Sequence, residues 1–100
     1  MNNLVYISGV GRGILIRDLR TAGLPVITSI YHWHHENLKM ARENPDKLVI
    51  GLDIASDADN IILLGGPDNS IDCANLLRIR SECRDYRVRR VAEWLKGLTA

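Results

Sequence analysis

Short apolar runs alternate with stretches of helical spacing along the whole of this chain. Residues 4–8, 25–30, 48–52 and 60–64 are runs of five or six residues rich in Val, Ile and Leu. Their length and composition are those of strands covered on both faces. Between the first two runs, Leu15, Leu19 and Ala22 recur at helical spacing in a stretch over 14–22, which Gly23 and Pro25 close. A second helix is predicted over 36–43, ended by Pro45. A third is predicted over 70–83 with Ser70 as its cap, and a last one carries Val88, Val91, Leu95 and Leu98. Strands and helices in alternation predict a mostly parallel sheet with helices on its faces. The expected architecture is a three-layer, Rossmann/flavodoxin-like α/β fold with about four strands, spanning 1–100 as a single domain.

In such a sheet ligands bind beyond the carboxyl ends of the strands. That rule gathers residues 8–13, 30–35, 52–59 and 64–70 on one rim. The first of these holds Gly9-Val10-Gly11-Arg12-Gly13 between a strand and a helix. Glycines there let a ligand approach the backbone, and the N–H groups of the following helix suit an anion. Two strict motifs fail at this turn. A P-loop needs Gly-Lys-Ser/Thr where Gly13-Ile14-Leu15 stands, and a dinucleotide fingerprint needs a small residue at Ile14 and an acid where Tyr31 and His32 stand. Residues 8–14 resemble the opening of short-chain dehydrogenases, with Leu15 in place of their last glycine. Close packing alone is the competing explanation for the glycines.

Tyr31-His32-Trp33-His34-His35 follows the second strand. His32 and His34, two apart on an extended segment, share a face, but no third ligand has a supporting spacing, so the cluster reads as pocket lining and not as a metal site. Trp33 is placed to stack on a base or to edge the core. Asp53 follows a strand directly and points into the rim, whereas Asp57 reads as a solvated turn residue. The arginines at 78, 80, 84, 87, 89 and 90 read as a solvated helix face and not as a polyanion contact.

Composition narrows the classes. At 46% apolar and 25% charged residues the chain is ordinary for a globular domain, and with no Phe its core must come from aliphatic residues. The net charge of +1 gives no global pull toward nucleic acid or membrane, although residues 71–100 hold 7 Lys and Arg against 4 Asp and Glu. No apolar run approaches the roughly 20 residues of a bilayer span, and the start lacks a secretory signal pattern, so a cytoplasmic location is expected. Cys73 and Cys83, both placed in the predicted third helix, are expected as reduced thiols.

In order along the chain, residues 5–9 (with Tyr6, Ser8 and Gly9), then 22–26 with His32 and His34 beyond, then Asp53, 58–64 and 68–70 resemble the small nucleoside 2-deoxyribosyltransferase-like proteins often found in phages. The resemblance covers nearly the whole chain and implies a short flavodoxin-like sheet. In active members of that family a helix glutamate attacks the anomeric carbon of a nucleoside, oriented by an N-terminal tyrosine. Carried over by position, the resemblance implies Tyr6 as the orienting tyrosine, Asp53 as the aspartate that handles protons or sugar, and Ser70 as the residue opening the nucleophile helix. Leu76 stands where the glutamate is expected, and Asp72 is the nearby carboxylate.

Two functions follow as expectations. The first is a nucleotide-binding or protein-interaction domain without catalysis, of the accessory or inhibitor kind, holding its ligand with Gly9, Gly11, Arg12, Gly13, His32, His34 and Ser70. The second is an N-glycosidic bond transferase or hydrolase using Tyr6, Asp53 and Asp72. An NAD-dependent redox domain is carried by the glycine turn alone. The ligand is a nucleoside or nucleotide, a protein partner or a second copy of the chain is left open, and no cofactor, metal, membrane or nucleic acid is called for.

Overall fold

In the computed structural model, which describes residues 3–51, 54–65, 71 and 73–99, five strands and three helices follow one another. They are β1 (Leu4–Gly9), α1 (Arg12–Thr21), β2 (Val26–Thr28), α2 (His34–Glu43), β3 (Leu48–Gly51), β4 (Asn60–Leu64), β5 (Asn75–Ile79) and α3 (Arg84–Thr99). Every pairing is parallel and the strand order is β2-β3-β1-β4-β5, with β1 at the centre. The carboxyl ends of all strands therefore lie along one edge, as the α/β reading requires.

Alternation along β1 sorts the core into two layers. Val5 and Ile7 pack with Leu15, Leu19 and Val91 under α1 and α3, while Leu4 and Tyr6 pack with Ala41, Ile61 and Leu63 under α2. β3 and β4 are buried along their whole length, which explains their unbroken apolar sequence. Gly23 closes α1 as expected: its φ is +93°, its N–H donates to the Arg20 carbonyl, and the Leu24 N–H donates to Leu19.

The segment expected as a helix over 70–83 is corrected by the structure, which makes residues 75–79 a fifth strand. Leu77 and Ile79 face the α1/α3 layer at 4% and 1% exposure, while Leu76 on the opposite side is 39% exposed. The register is pinned by amides. Asn75 Nδ2 donates to Asn60 Oδ1 at 2.9 Å, and Asn60 Nδ2 donates to the Leu4 carbonyl at 2.9 Å, so one side-chain string joins the starts of β5, β4 and β1. Cys73 and Cys83 consequently flank β5 and share no helix; both are free thiols. Arg78 lies on β5, Arg80 just beyond it, and Arg87 is buried, so the arginines do not form one solvated helix face.

Among the described residues no helix is long and apolar enough to cross a membrane. The strand assignment separates two neighbouring leucines. Leu77→Ala is expected to lower the unfolding free energy by about 2–5 kcal/mol, as for other fully buried leucines, and Leu76→Ala by less than about 1 kcal/mol. Urea midpoints of the two variants measure this, and equal losses would return the segment to a helix.

Candidate functional site

The loops after β1, β2 and β3 carry Val10, Ile30, Tyr31, Trp33 and Ile54, five of the large apolar side chains exposed on the protein. Val10 is 89%, Ile30 77% and Trp33 67% exposed. These side chains lie on loops at the carboxyl edge of the parallel sheet, where such sheets bind their ligands.

Beneath this edge runs a string of polar groups inside the α2 layer. The Ser29 hydroxyl donates to Asn37 Oδ1, Asn37 Nδ2 donates to the Tyr6 hydroxyl at 3.1 Å, and the Tyr6 oxygen lies 2.8 Å from His34 Nδ1. The Tyr31 N–H, in turn, donates to Ser29 Oγ at 3.0 Å. Ser29, Asn37 and Tyr6 are 1–2% exposed, so each must find its partners inside the protein.

The directions of these bonds propagate outward. With its oxygen accepting from Asn37, the Tyr6 hydroxyl has its proton for Nδ1, which places the hydrogen of the neutral imidazole on Nε2; this tautomer is assigned from the hydrogen-bond network. Nε2 has no partner among the described residues, and no buried side-chain nitrogen or oxygen there lacks one, so Nε2 meets solvent. His34 is thus a half-buried ring held from behind and offering one donor at the rim; the exposed Trp33 precedes it in the chain, with its ring 6.4 Å from that of His35. Its ring lies 5.8 Å from that of Tyr6.

Local sequence explains why the string can exist. Tyr6 pairs with Gly51 across β1 and β3, and a Cβ at position 51 would fall 2.2 Å from the Tyr6 ring. Glycine is therefore the opening in which the phenol lies. Burial pushes the Tyr6 phenol above its ordinary value of 10.0, and the Asn37 hydrogen bond pulls it back in part.

At the glycine turn two glycines are conformational necessities. Gly9 has φ +119°, and a Cβ there would meet the Leu64 carbonyl oxygen at 2.1 Å. Gly11, the N-cap of α1, has φ +91° and lies against the Arg87 guanidinium. Gly13 has open space around it. Close packing thus accounts for Gly9 and Gly11 and leaves Gly13 unexplained by sterics. Arg12 is half-buried at the first position of α1.

The histidines are arranged otherwise than an extended segment would have them. His34 and His35 open α2, so His32 and His34 do not alternate along a strand. No cluster of three or more metal-ligating side chains occurs among the described residues. Asp53, Asp72 and Ser70 lie outside the described residues. The described part of the segment meant to carry a helix nucleophile contains β5 and no helix, and Leu76 sits on that strand. Sequence reasoning missed Ser29 and Asn37, since a lone serine after a strand and an asparagine within a helix carry no signal of their own.

Two measurements check the string. Gly51→Ala is expected to cost about 1–3 kcal/mol of stability through overpacking against Tyr6. Because the folded Tyr6 is harder to ionise than the unfolded one, its contribution is whole below pH 10 and is lost as pH rises through the folded value. The difference in tyrosinate absorbance between the protein and Tyr6→Phe is expected to show one step above pH 10; a step at or below it contradicts the arrangement. No family model matches the chain, and comparison with curated proteins and with solved structures gives no match.

Proposed function

We propose that the chain is a nucleotide-binding domain, taking the base of a nucleoside or nucleotide at the rim beside α2. The observation that carries this reading is the Ser29-Asn37-Tyr6-His34 string, which presents His34 Nε2–H at the rim, on the residue that follows the exposed Trp33. A fixed donor and an exposed aromatic ring on consecutive residues suit a planar heteroaromatic ring with acceptors on its edge. Stacking on an aromatic side chain is worth about 1–3 kcal/mol per base. The resemblance to nucleoside 2-deoxyribosyltransferase-like proteins accords with such a ligand. A catalytic role as in that family needs a carboxylate carried on a helix after β4; β5 occupies part of that stretch, with Leu76 at the matching position. Binding without turnover is therefore the reading we adopt.

The test is a thermal-shift panel of nucleosides, nucleotides, cyclic nucleotides and NAD, with mass spectrometry of released base in the same samples. A ligand at about 100 times its Kd adds about 2.7 kcal/mol, or roughly 10–20 °C for a domain of this size. Trp33→Ala is expected to weaken the best ligand by about tenfold or more, while leaving the unliganded Tm near that of the parent. Released base would replace the binding reading with an N-glycosidic enzyme. No shift with any compound would leave only a protein-interaction domain.

A further inference from the structure

Arg87 is the odd charge of this protein. It is 8% exposed, near the start of α3, and among the described residues no carboxylate pairs with it. Its Nε donates to the Ser81 carbonyl at 2.7 Å and its Nη1 to the Val10 carbonyl at 3.0 Å. Two neutral carbonyls do not neutralise a guanidinium, and burying a cation without a counter-charge is costly. Among the described residues Nη2 makes no hydrogen bond and no side-chain nitrogen is both sealed and unpartnered, so Nη2 is accessible.

It opens beside a cleft of about 260 Å³ between the starts of α1 and α3, lined by Gly11, Ile14 and Arg87 among others. The first turn of α1 meets the guanidinium here. Gly11 makes no side-chain cap, no acidic residue stands in that turn, and a Cβ at Gly11 would lie 2.6 Å from Arg87 Nη1. Helix N–H groups, the positive end of the helix dipole and an unmatched guanidinium thus converge. The acidic groups of the cleft do not cancel them equally. Asp18 is held by Arg84 through two bonds of 2.8 and 2.7 Å, and Glu82 stands exposed at the mouth.

We propose that this cleft is an anion site for a phosphoryl group, with Arg87 as its anchor and the α1 N-terminus as its second wall. The volume is below the usual range for whole small-molecule ligands, about 300–1,000 Å³, and suits a free phosphate or the phosphate end of a larger molecule. The site stands on its own, whether or not a base binds at Trp33.

The experiment is a titration of the 15N-labelled full chain at low salt with inorganic phosphate, pyrophosphate and a nucleoside monophosphate, following the amides of Gly11, Gly13 and Ile14 and the Arg87 Nε–H. Saturable shifts confined to this set are expected. Glu82→Gln is expected to tighten binding about threefold, and Ile14→Glu, at a position 46% exposed, to weaken it at least tenfold without loss of fold. Arg87→Lys keeps the charge but not the fork, and is expected to weaken binding and lower Tm; should that variant not fold, the other two decide. Tighter binding of the monophosphate on the same amides identifies the phosphate end of a nucleotide, and tighter binding of phosphate or pyrophosphate a free anion; both support the site. No saturable shift at millimolar anion, or an affinity indifferent to Ile14→Glu and Glu82→Gln, overturns the proposal and leaves Arg87 as a structural clamp.

Discussion

β1 is hydrogen-bonded in parallel to β3 on one side and β4 on the other, and everything else in the molecule answers to that central pairing. A parallel neighbour is reached only by carrying the chain back across a face of the sheet. The returns through α1 and α2 cover opposite faces, so both sides of β1 must be apolar. The turns that begin those returns lie on one edge. Fold and site are in this sense one constraint: burying β1 twice delivers the glycine turn, the aromatic loop and the start of α3 to the same rim.

The two layers are not chemically equivalent. Under α1 and α3 the core is aliphatic, with Arg87 at its margin. Under α2 a phenol, an amide and a hydroxyl replace what apolar packing would provide. Such a string is tolerable in low dielectric because each member is satisfied. Its last member, His34, reaches solvent, so the order of the buried groups is transmitted to a surface donor. The arrangement that buries Tyr6 thereby also sets which donor His34 shows to solvent.

Much of the architecture was legible in the sequence because strands covered on both faces are apolar without interruption, and 4–8, 48–52 and 60–64 are such runs. The stop at Gly23 was equally plain, since a left-handed residue after a helix is most often glycine. β5 was not legible. Ile71, Leu76, Leu77 and Ile79 fit a helical stripe as well as an alternating one, and what decides between them is the pairing of Asn75 with Asn60, which is tertiary. Arg87 was hidden for a similar reason. In a run holding six arginines between 78 and 90, only the position of Val10 and Ser81 in space distinguishes the buried one. His34 and Tyr6 were recognisable as candidates, but they lie 28 residues apart in the chain and meet only when α2 docks.

Arg87 joins Val10 to Ser81 although 77 residues separate Arg87 from Val10. A turn near the beginning of the chain is thus completed by a side chain near its end. The loop that this contact closes spans most of the protein, and such closures are entropically unfavourable until intervening strands have paired. As the chain leaves the ribosome the turn therefore emerges 77 residues before the arginine that pins it.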